Sequence, residues 1–173
     1  MVLRINLEHP IKMSRIAIRK WVQADIPGTI VMVSSIGAQG ASPVVPLYQV
    51  SKHGISCFTR CMARMQELAN IRVVAVSPGP TRTPLLAAPE AARFVDFEKD
   101  KLAEPEAVAR GMMAVGFGDI YPPGTVLEVT YPQRMREVSL LNDRGPDPSI
   151  WISKKEEAIT DVFAAFADDK AKI

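Results

Sequence analysis

Apolar and polar positions fall in blocks along this chain, and the spacing within each block predicts an element. Ile5, Ile11, Ile16, Ala17 and Trp21 lie near helical spacing, which predicts a helix ending at about Ala24. Asp25-Ile-Pro-Gly28 is turn chemistry. Thr29-Ile-Val-Met-Val33 is a short β-branched run, apolar on both faces, as in a buried parallel strand. It gives way to the polar Ser34-Ser35-Ile-Gly37, and residues 37–46 read as loop with Pro43 and Pro46 as punctuation. From Tyr48 to about Ala69 the positions Ile55, Phe58, Met62, Met65 and Leu68 predict one long helix, with Asn70 as its stop. Residues 71–76 form a second buried run, closed by Ser77-Pro-Gly-Pro80. Glu104-Pro105 starts a helix with proline in its first turn, running to about Val115. Residues 125–131 predict a third strand. Residues 142–148 are a turn-rich linker, and Ser153-Lys-Lys-Glu156 is a capping box opening a C-terminal helix with Ile159, Val162, Phe163 and Phe166 on one face.

The alternation of helix and strand predicts an α/β fold: a partial, doubly wound, mostly parallel sheet with flanking helices. Strand, helix and strand from residue 29 to 76 make one β–α–β crossover, expected to be right-handed. Three strands make a thin sheet for such a domain. The organisation expected is a main domain over residues 1–141, then a linker and amphipathic helix over residues 142–173.

Composition narrows the function classes. Of 173 residues, 47% are hydrophobic and 23% charged, an ordinary globular balance that argues against general disorder. A net charge of +2, from 21 basic and 19 acidic residues, gives no case for nucleic acid or an anionic membrane as partner. No apolar run approaches the roughly 18 residues that span a bilayer. The first segment has no continuous apolar core of the secretory kind, so the cytoplasm is the expected location. The two cysteines, Cys57 and Cys61, sit one helical turn apart; no further Cys or His completes a metal site, so no metal is expected. They read as small buried or half-buried helix residues. His53 reads as structural and His9 as surface.

Ligands of open α/β sheets bind beyond the carboxyl ends of the strands. Ser34 and Ser35 end the first strand, and Pro78 and Gly79 end the second. Tyr48 and Lys52, four apart at the start of the long helix, share a face. A free tyrosine ionises near pH 10 and is a poor base at neutral pH. An ammonium within about 4–6 Å favours the phenolate and lowers that value by roughly 1–3 pH units. Such a tyrosine can exchange a proton with a hydroxyl or carbonyl. Ser35 is placed to hydrogen-bond the same oxygen.

These residues resemble a known family. Tyr48-Gln-Val-Ser-Lys52 looks like the Tyr-x-x-x-Lys motif of the short-chain dehydrogenases/reductases. Val33-Ser34-Ser35-x-Gly37 looks like the strand end that carries the family's catalytic serine, and Ser35 precedes Tyr48 by the family's usual interval. Ile5-Asn6-Leu7 resembles the helix with the catalytic asparagine, and Pro78-Gly-Pro-Thr-Arg-Thr83 the segment that touches the nicotinamide end of the cofactor. The motifs run in order over about half the chain. Residues 46–60 are most similar to hydroxyprostaglandin-dehydrogenase-like members.

The resemblance implies a partial Rossmann-type fold and hydride transfer between NAD or NADP, with NAD slightly favoured, and a secondary alcohol or ketone. Tyr48 would be the acid/base, Lys52 would lower its pKa and hold the nicotinamide ribose, Ser35 would orient the substrate, and Asn6 would hold a relay water. Pro78, Gly79, Thr81 and Thr83 would flank the cofactor, Thr83 near the carboxamide or phosphate region. A homo-oligomer through the helix at 48–69 is expected, and so is a non-catalytic interaction module as the competing role. Residues 36–46 and 84–103 would shape the substrate pocket, with residues 85–97 either a lid or a surface helix.

The family's glycine-rich turn, which holds the pyrophosphate at a helix N-terminus, has no counterpart here. Gly111, Gly116 and Gly118 follow a helical pattern, not a strand. The residue that chooses between NAD and NADP is missing too. The simplest expectation is therefore that the first half of the domain is absent, that turnover by this chain alone is doubtful, and that the sheet is left with an apolar edge.

Overall fold

The structure is a computed structural model that describes residues 1–41, 43–89 and 95–139. A π-helical turn, Arg4–Glu8, leads into α1, His9–Ala24. Strand β1 is Gly28–Val33, followed by a 3-10 turn, Ile36–Gln39. Helices α2, Pro46–Cys61, and α3, Met65–Ala69, precede strand β2, Ile71–Pro78. Short helix α4 is Pro84–Ala87 and α5 is Pro105–Phe117. Strands β3, Val126–Thr130, and β4, Arg134–Glu137, complete the described elements.

The sheet order is β1-β2-β3-β4. Strands β1 and β2 are parallel, with Gly28 opposite Ile71 and Val33 opposite Val76; β3 continues parallel, with Ala75 opposite Val126. The expected mostly parallel α/β sheet is thus present. Side chains alternate across it, so each face has its own core. Ile18, Met32, Ile55, Met65, Val73 and Val126 join the first face to α1, α2 and α3. Val74, Val76, Ala107, Val115, Leu127 and Val129 join the second to α5. Helices on both faces make the sheet doubly wound.

Four expectations need correction. The helix expected over 48–69 is two helices. Its i→i+4 ladder tightens at Met62–Arg64, where Ala63 N–H bonds to Arg60 O and Met65 N–H to Met62 O. The loop before β3 sits directly on this turn: a Cβ on Gly124 would lie 2.8 Å from that of Ala63. Asn70, in the left-handed region at φ 53°, then redirects the chain into β2. Second, the sheet has four strands among the described residues. Antiparallel β4 was not expected because Arg-Met-Arg-Glu carries no apolar run; it is held by its ladder to β3 and by Arg136, which forks onto Glu128 at 2.8 and 2.6 Å.

Third, the buried face of the first helix is displaced from the residues expected. Ile5 and Ile16 are exposed, while Ser14 and Ile18 are buried; the expected Trp21 does pack on the core, together with Leu7 and Val22. Fourth, Cys57 and Cys61 are exposed, because the buried stripe of α2 runs through Ser51, Ile55, Ser56 and Thr59. Strand β1 is an edge of the described sheet, and its last residue, Val33, is 46% exposed. The expected C-terminal helix, the linker at 142–148 and residues 90–94 of the expected lid lie outside the described residues.

One long-range contact closes the second face. Arg72, at the start of β2, donates to the carbonyls of Val115 and Gly118 at 3.0 and 3.4 Å, and also to that of Tyr121. A cation there satisfies carbonyls that the end of α5 leaves without intrahelical partners, and complements the helix dipole.

Candidate active site

The site is built where the apolar sheet turns polar. On the first face the chain runs Ile30 and Met32 in β1 and then Ser34 just past its end, whose N–H still bonds to Val76 O at 2.8 Å, and Val73, Ala75 and then Ser77 in β2. Glu128 stands opposite Ser77, and Arg136 opposite Glu128. The last row across this face is therefore Ser34, Ser77, Glu128 and Arg136. Ser34, Ser77 and Glu128 are buried, and such groups need partners. Ser34 Oγ donates to Lys52 O at 3.0 Å or shares a proton with Ser56 Oγ at 2.7 Å. Gln39 donates to Ser77 Oγ at 3.3 Å and accepts from Arg136 at 3.1 Å. The 3-10 turn after β1 and the start of α2 are thereby fastened to the sheet end. None of the partners of Ser34 or Gln39 was foreseeable from spacing.

Ser35, Tyr48 and Lys52 stand on this fastened frame. Ser35 caps the 3-10 turn, its Oγ accepting from Gly37 N–H at 3.1 Å. That bond uses a lone pair and leaves the hydroxyl proton free to donate. Gly37 also explains how the tyrosine comes close: a Cβ there would lie 3.3 Å from Tyr48 Cε1 and 3.5 Å from Ser35 Oγ. The tyrosine ring and the serine hydroxyl thus both flank one glycine. Lys52 Nζ sits 5.7 Å from the centre of the Tyr48 ring. It donates to Val33 O at 2.9 Å, which leaves two of its three protons without a partner among the described residues. Burial pushes its pKa below the usual lysine value. A partly desolvated ammonium acts on its neighbours with a stronger field than one in water.

Asn6 is half-buried in the π-helical turn before α1. The neighbouring Leu7 sets this turn against α2 at Gly54, where a Cβ would lie only 2.7 Å from Leu7 Cδ1. Gly54 and Lys52 both lie on α2, so the turn that carries Asn6 packs on the helix that carries the lysine. Such π turns recur at functional sites.

The second strand end is also in place. Pro78 pairs with Val129, and Gly79 N–H bonds to Val129 O at 2.9 Å. Thr81 and Thr83 are used locally. Thr81 Oγ1 donates to Gly79 O at 2.9 Å, and Thr83 Oγ1 caps α4 by accepting from Leu86 N–H at 3.3 Å. Gly111 and Gly116 are buried in α5 against Val129 and Val31, where they let the helix approach the sheet; they form no phosphate loop. His53 Nδ1 pairs with Gln49 O at 2.9 Å and His9 is exposed at the start of α1, consistent with structural and surface roles.

An open groove of about 560 Å³ runs beside the start of α2, lined by Gly40, Ala41, Pro43, Pro46, Val50 and His53 among others. It draws on the segment expected to shape a substrate pocket, but neither Ser35 nor Tyr48 lines it. Among the described residues no group of acidic, His and Cys side chains could hold a metal, and no helix is long and apolar enough to cross a membrane.

Known proteins resemble this chain in sequence and in fold. The family model described as enoyl-(acyl carrier protein) reductase matches residues 1–110. Chanoclavine-I dehydrogenase of Arthroderma otae is 38% identical over 89 residues, which cover 49% of this chain and 34% of that protein. The 3beta-hydroxysteroid dehydrogenase 1 of Eggerthella lenta is 29% identical over 125 residues, 72% of this chain and 43% of that protein. The chain therefore spans less than half the length of these curated relatives. The structure of 4-hydroxyisoleucine dehydrogenase complexed with NADH superposes with a TM-score of 0.58 at 25% identity, covering 73% of this chain and 55% of that one.

Proposed function

This chain belongs to the short-chain dehydrogenase/reductase family, and from that premise we propose that its polar sheet end is an acid/base site for oxidation of a secondary alcohol, or the reverse reduction of a ketone, with a nicotinamide cofactor. The observation that carries the reading is that Ser35 and Tyr48 flank Gly37, with the Lys52 ammonium 5.7 Å from the centre of the tyrosine ring.

In this reading Tyr48 moves the proton at the substrate oxygen and Ser35 donates its free O–H to the same oxygen. Lys52 offers its two remaining protons to ribose hydroxyls. Asn6 orients a water on the lysine side. The cofactor, when bound, supplies or takes up the hydride.

The residues present fit the nicotinamide-ribose end of such a cofactor: a half-buried ammonium with free donors at the end of β1, and the Pro78-Gly79 end of the neighbouring strand β2. They do not supply a diphosphate cradle, for no strand among the described residues passes through a glycine-rich turn into a helix. NAD and NADP are therefore equally compatible with the site. Support for a nicotinamide comes from the NADH in the 4-hydroxyisoleucine dehydrogenase neighbour, and for a small alcohol or ketone from the dehydrogenase relatives.

The test is steady-state oxidation of a panel of secondary alcohols with NAD and NADP, read by absorbance of the reduced cofactor. Tyr48→Phe is expected to lower kcat by about 100-fold or more, the usual scale of general acid/base catalysis. Turnover that survives Tyr48→Phe unchanged would remove the assignment.

A second reading rests on a separate observation. Leu47 and Val50 on α2 are 56% and 57% exposed, which favours self-association through this helix. Sedimentation velocity of wild type against Val50→Lys checks it: a dimer that becomes monomeric supports the interface, and an unaltered sedimentation coefficient removes it.

A further inference from the structure

The 3-10 turn after β1, Ile36–Gln39, has one polar side chain, that of Gln39. Ile36, Gly37 and Ala38 carry no polar side-chain atom. A glutamine at the end of so short a turn ordinarily keeps its rotamer freedom. Here both ends of its amide are held. Nε2 donates to Ser77 Oγ at 3.3 Å, and Oε1 accepts from Arg136 Nη2 at 3.1 Å. The cation decides which way the amide points. A flipped amide would set its NH2 against a guanidinium, which has no acceptor to offer.

Arg136 is itself fixed. Its Nε and Nη2 fork onto Glu128 Oε1 and Oε2 at 2.8 and 2.6 Å, and such two-point pairs carry geometric specificity. Glu128 is buried and stands opposite Ser77 in the ladder. Ser77, Glu128, Arg136 and Gln39 thus close a ring across β2, β3 and β4. The other end of the turn belongs to Ser35. Its Oγ accepts from Gly37 N–H at 3.1 Å, and its carbonyl accepts from Ala38 N–H at 2.9 Å. Ser35 therefore follows the turn, and the turn follows the ring.

We propose that Gln39 is the positioning residue for Ser35: clamped between Ser77 and Arg136, it sets the Ile36–Gln39 turn and so the direction in which the Ser35 hydroxyl points. The proposal rests on the acid/base reading of the site given above. It adds a task for β4, whose Arg136 reaches the site through Gln39 without touching the reacting atoms.

The experiment uses Gln39→Met, which keeps the length of the side chain, removes both hydrogen bonds and leaves the Arg136–Glu128 pair intact. Amide exchange by NMR is the readout that needs no turnover. The Gly37 and Ala38 amides should exchange about tenfold faster in Gln39→Met, as expected for a local opening. The amide of Ala75, bonded to Thr125 O in the sheet, should keep its rate. Alcohol oxidation supplies the second readout. Gln39→Met should lower kcat about tenfold through misplacement of Ser35, with KM for the alcohol and the pH profile unaltered, since Tyr48 and Lys52 are untouched. Ser35→Ala should lower kcat about 100-fold, as loss of a donor at the reacting oxygen does. Adding Gln39→Met to Ser35→Ala should then change nothing further, because the residue it positions is gone. An equal loss from Gln39→Met with and without Ser35 overturns the proposal, and so does unaltered exchange at Gly37 and Ala38. A wild-type chain that oxidises no alcohol removes the acid/base reading instead; the exchange rates alone then decide whether Gln39 holds the turn.

Discussion

The first face of the sheet holds two unlike rows, two residues apart along each strand. Met32 and Ala75 lie in an apolar core row under α1 and α2. Ser34, Ser77 and Glu128 lie in the next, where every buried side-chain polar atom has a hydrogen-bond partner. The first row holds the fold by burial alone. The second holds it by hydrogen bonds, and those bonds end at the residues that frame Ser35, Tyr48 and Lys52. A small change of position along a strand thus separates the apolar core row from the row that frames the candidate site.

The contrast can be broken most severely from its apolar side. Ile71→Ala removes a fully buried side chain from the first core, and should cost about 2–5 kcal/mol in urea unfolding. A loss below 1 kcal/mol would mean the core is not packed as described. A smaller effect sharpens the polar side. Ser34→Ala leaves Ser56 Oγ buried without its partner and should cost about 1–3 kcal/mol. Adding Ser56→Ala should cost little more, since both unsatisfied groups are then gone. Strictly additive losses would show that the pair is not coupled.

The smallest effect concerns Lys52. Burial lowers its folded-state pKa below the ordinary 10.5, so between the two values the unfolded chain binds more protons than the folded one. Stability then rises with pH across that window, and the cost of burying the charge is fully present below it. The slope of melting temperature against pH, approaching 10.5 from below, should be less negative in wild type than in Lys52→Met. Parallel slopes would contradict the assigned burial of the ammonium.

The same contrast explains what could be read in the sequence. Strands β1 and β2 were legible because parallel strands with helices above and below are continuous β-branched runs. Asn70 and Glu104-Pro105 were legible because turn and cap residues act locally. Strand β4 was not, since a charged edge strand has no apolar alternation and exists through its partner. The break between α2 and α3 was hidden because Met62 and Met65 keep the helical period across it. For the candidate site, order and spacing along the chain pick out Ser35, Tyr48, Lys52 and the Pro78-Gly79 strand end, and the resemblance supplies their proposed roles. The bonds that seat them could not be read there: Gln39 to Arg136 and Ser34 to Ser56 join positions far apart in the chain. The role given to Thr83 by resemblance competes with a local one, as its hydroxyl already caps α4.

The central claim is that the polar row presents a site for the nicotinamide end of a cofactor, with Lys52 as its anchor. Fluorescence titration of the chain with NADH and NADPH tests it most directly. The account predicts saturable binding that weakens about tenfold in Lys52→Met, the order expected when a charge-assisted hydrogen bond is lost, and that is unchanged in the exposed control Tyr131→Phe. A folded chain that binds neither nucleotide, or binds them equally well without Lys52, would contradict it.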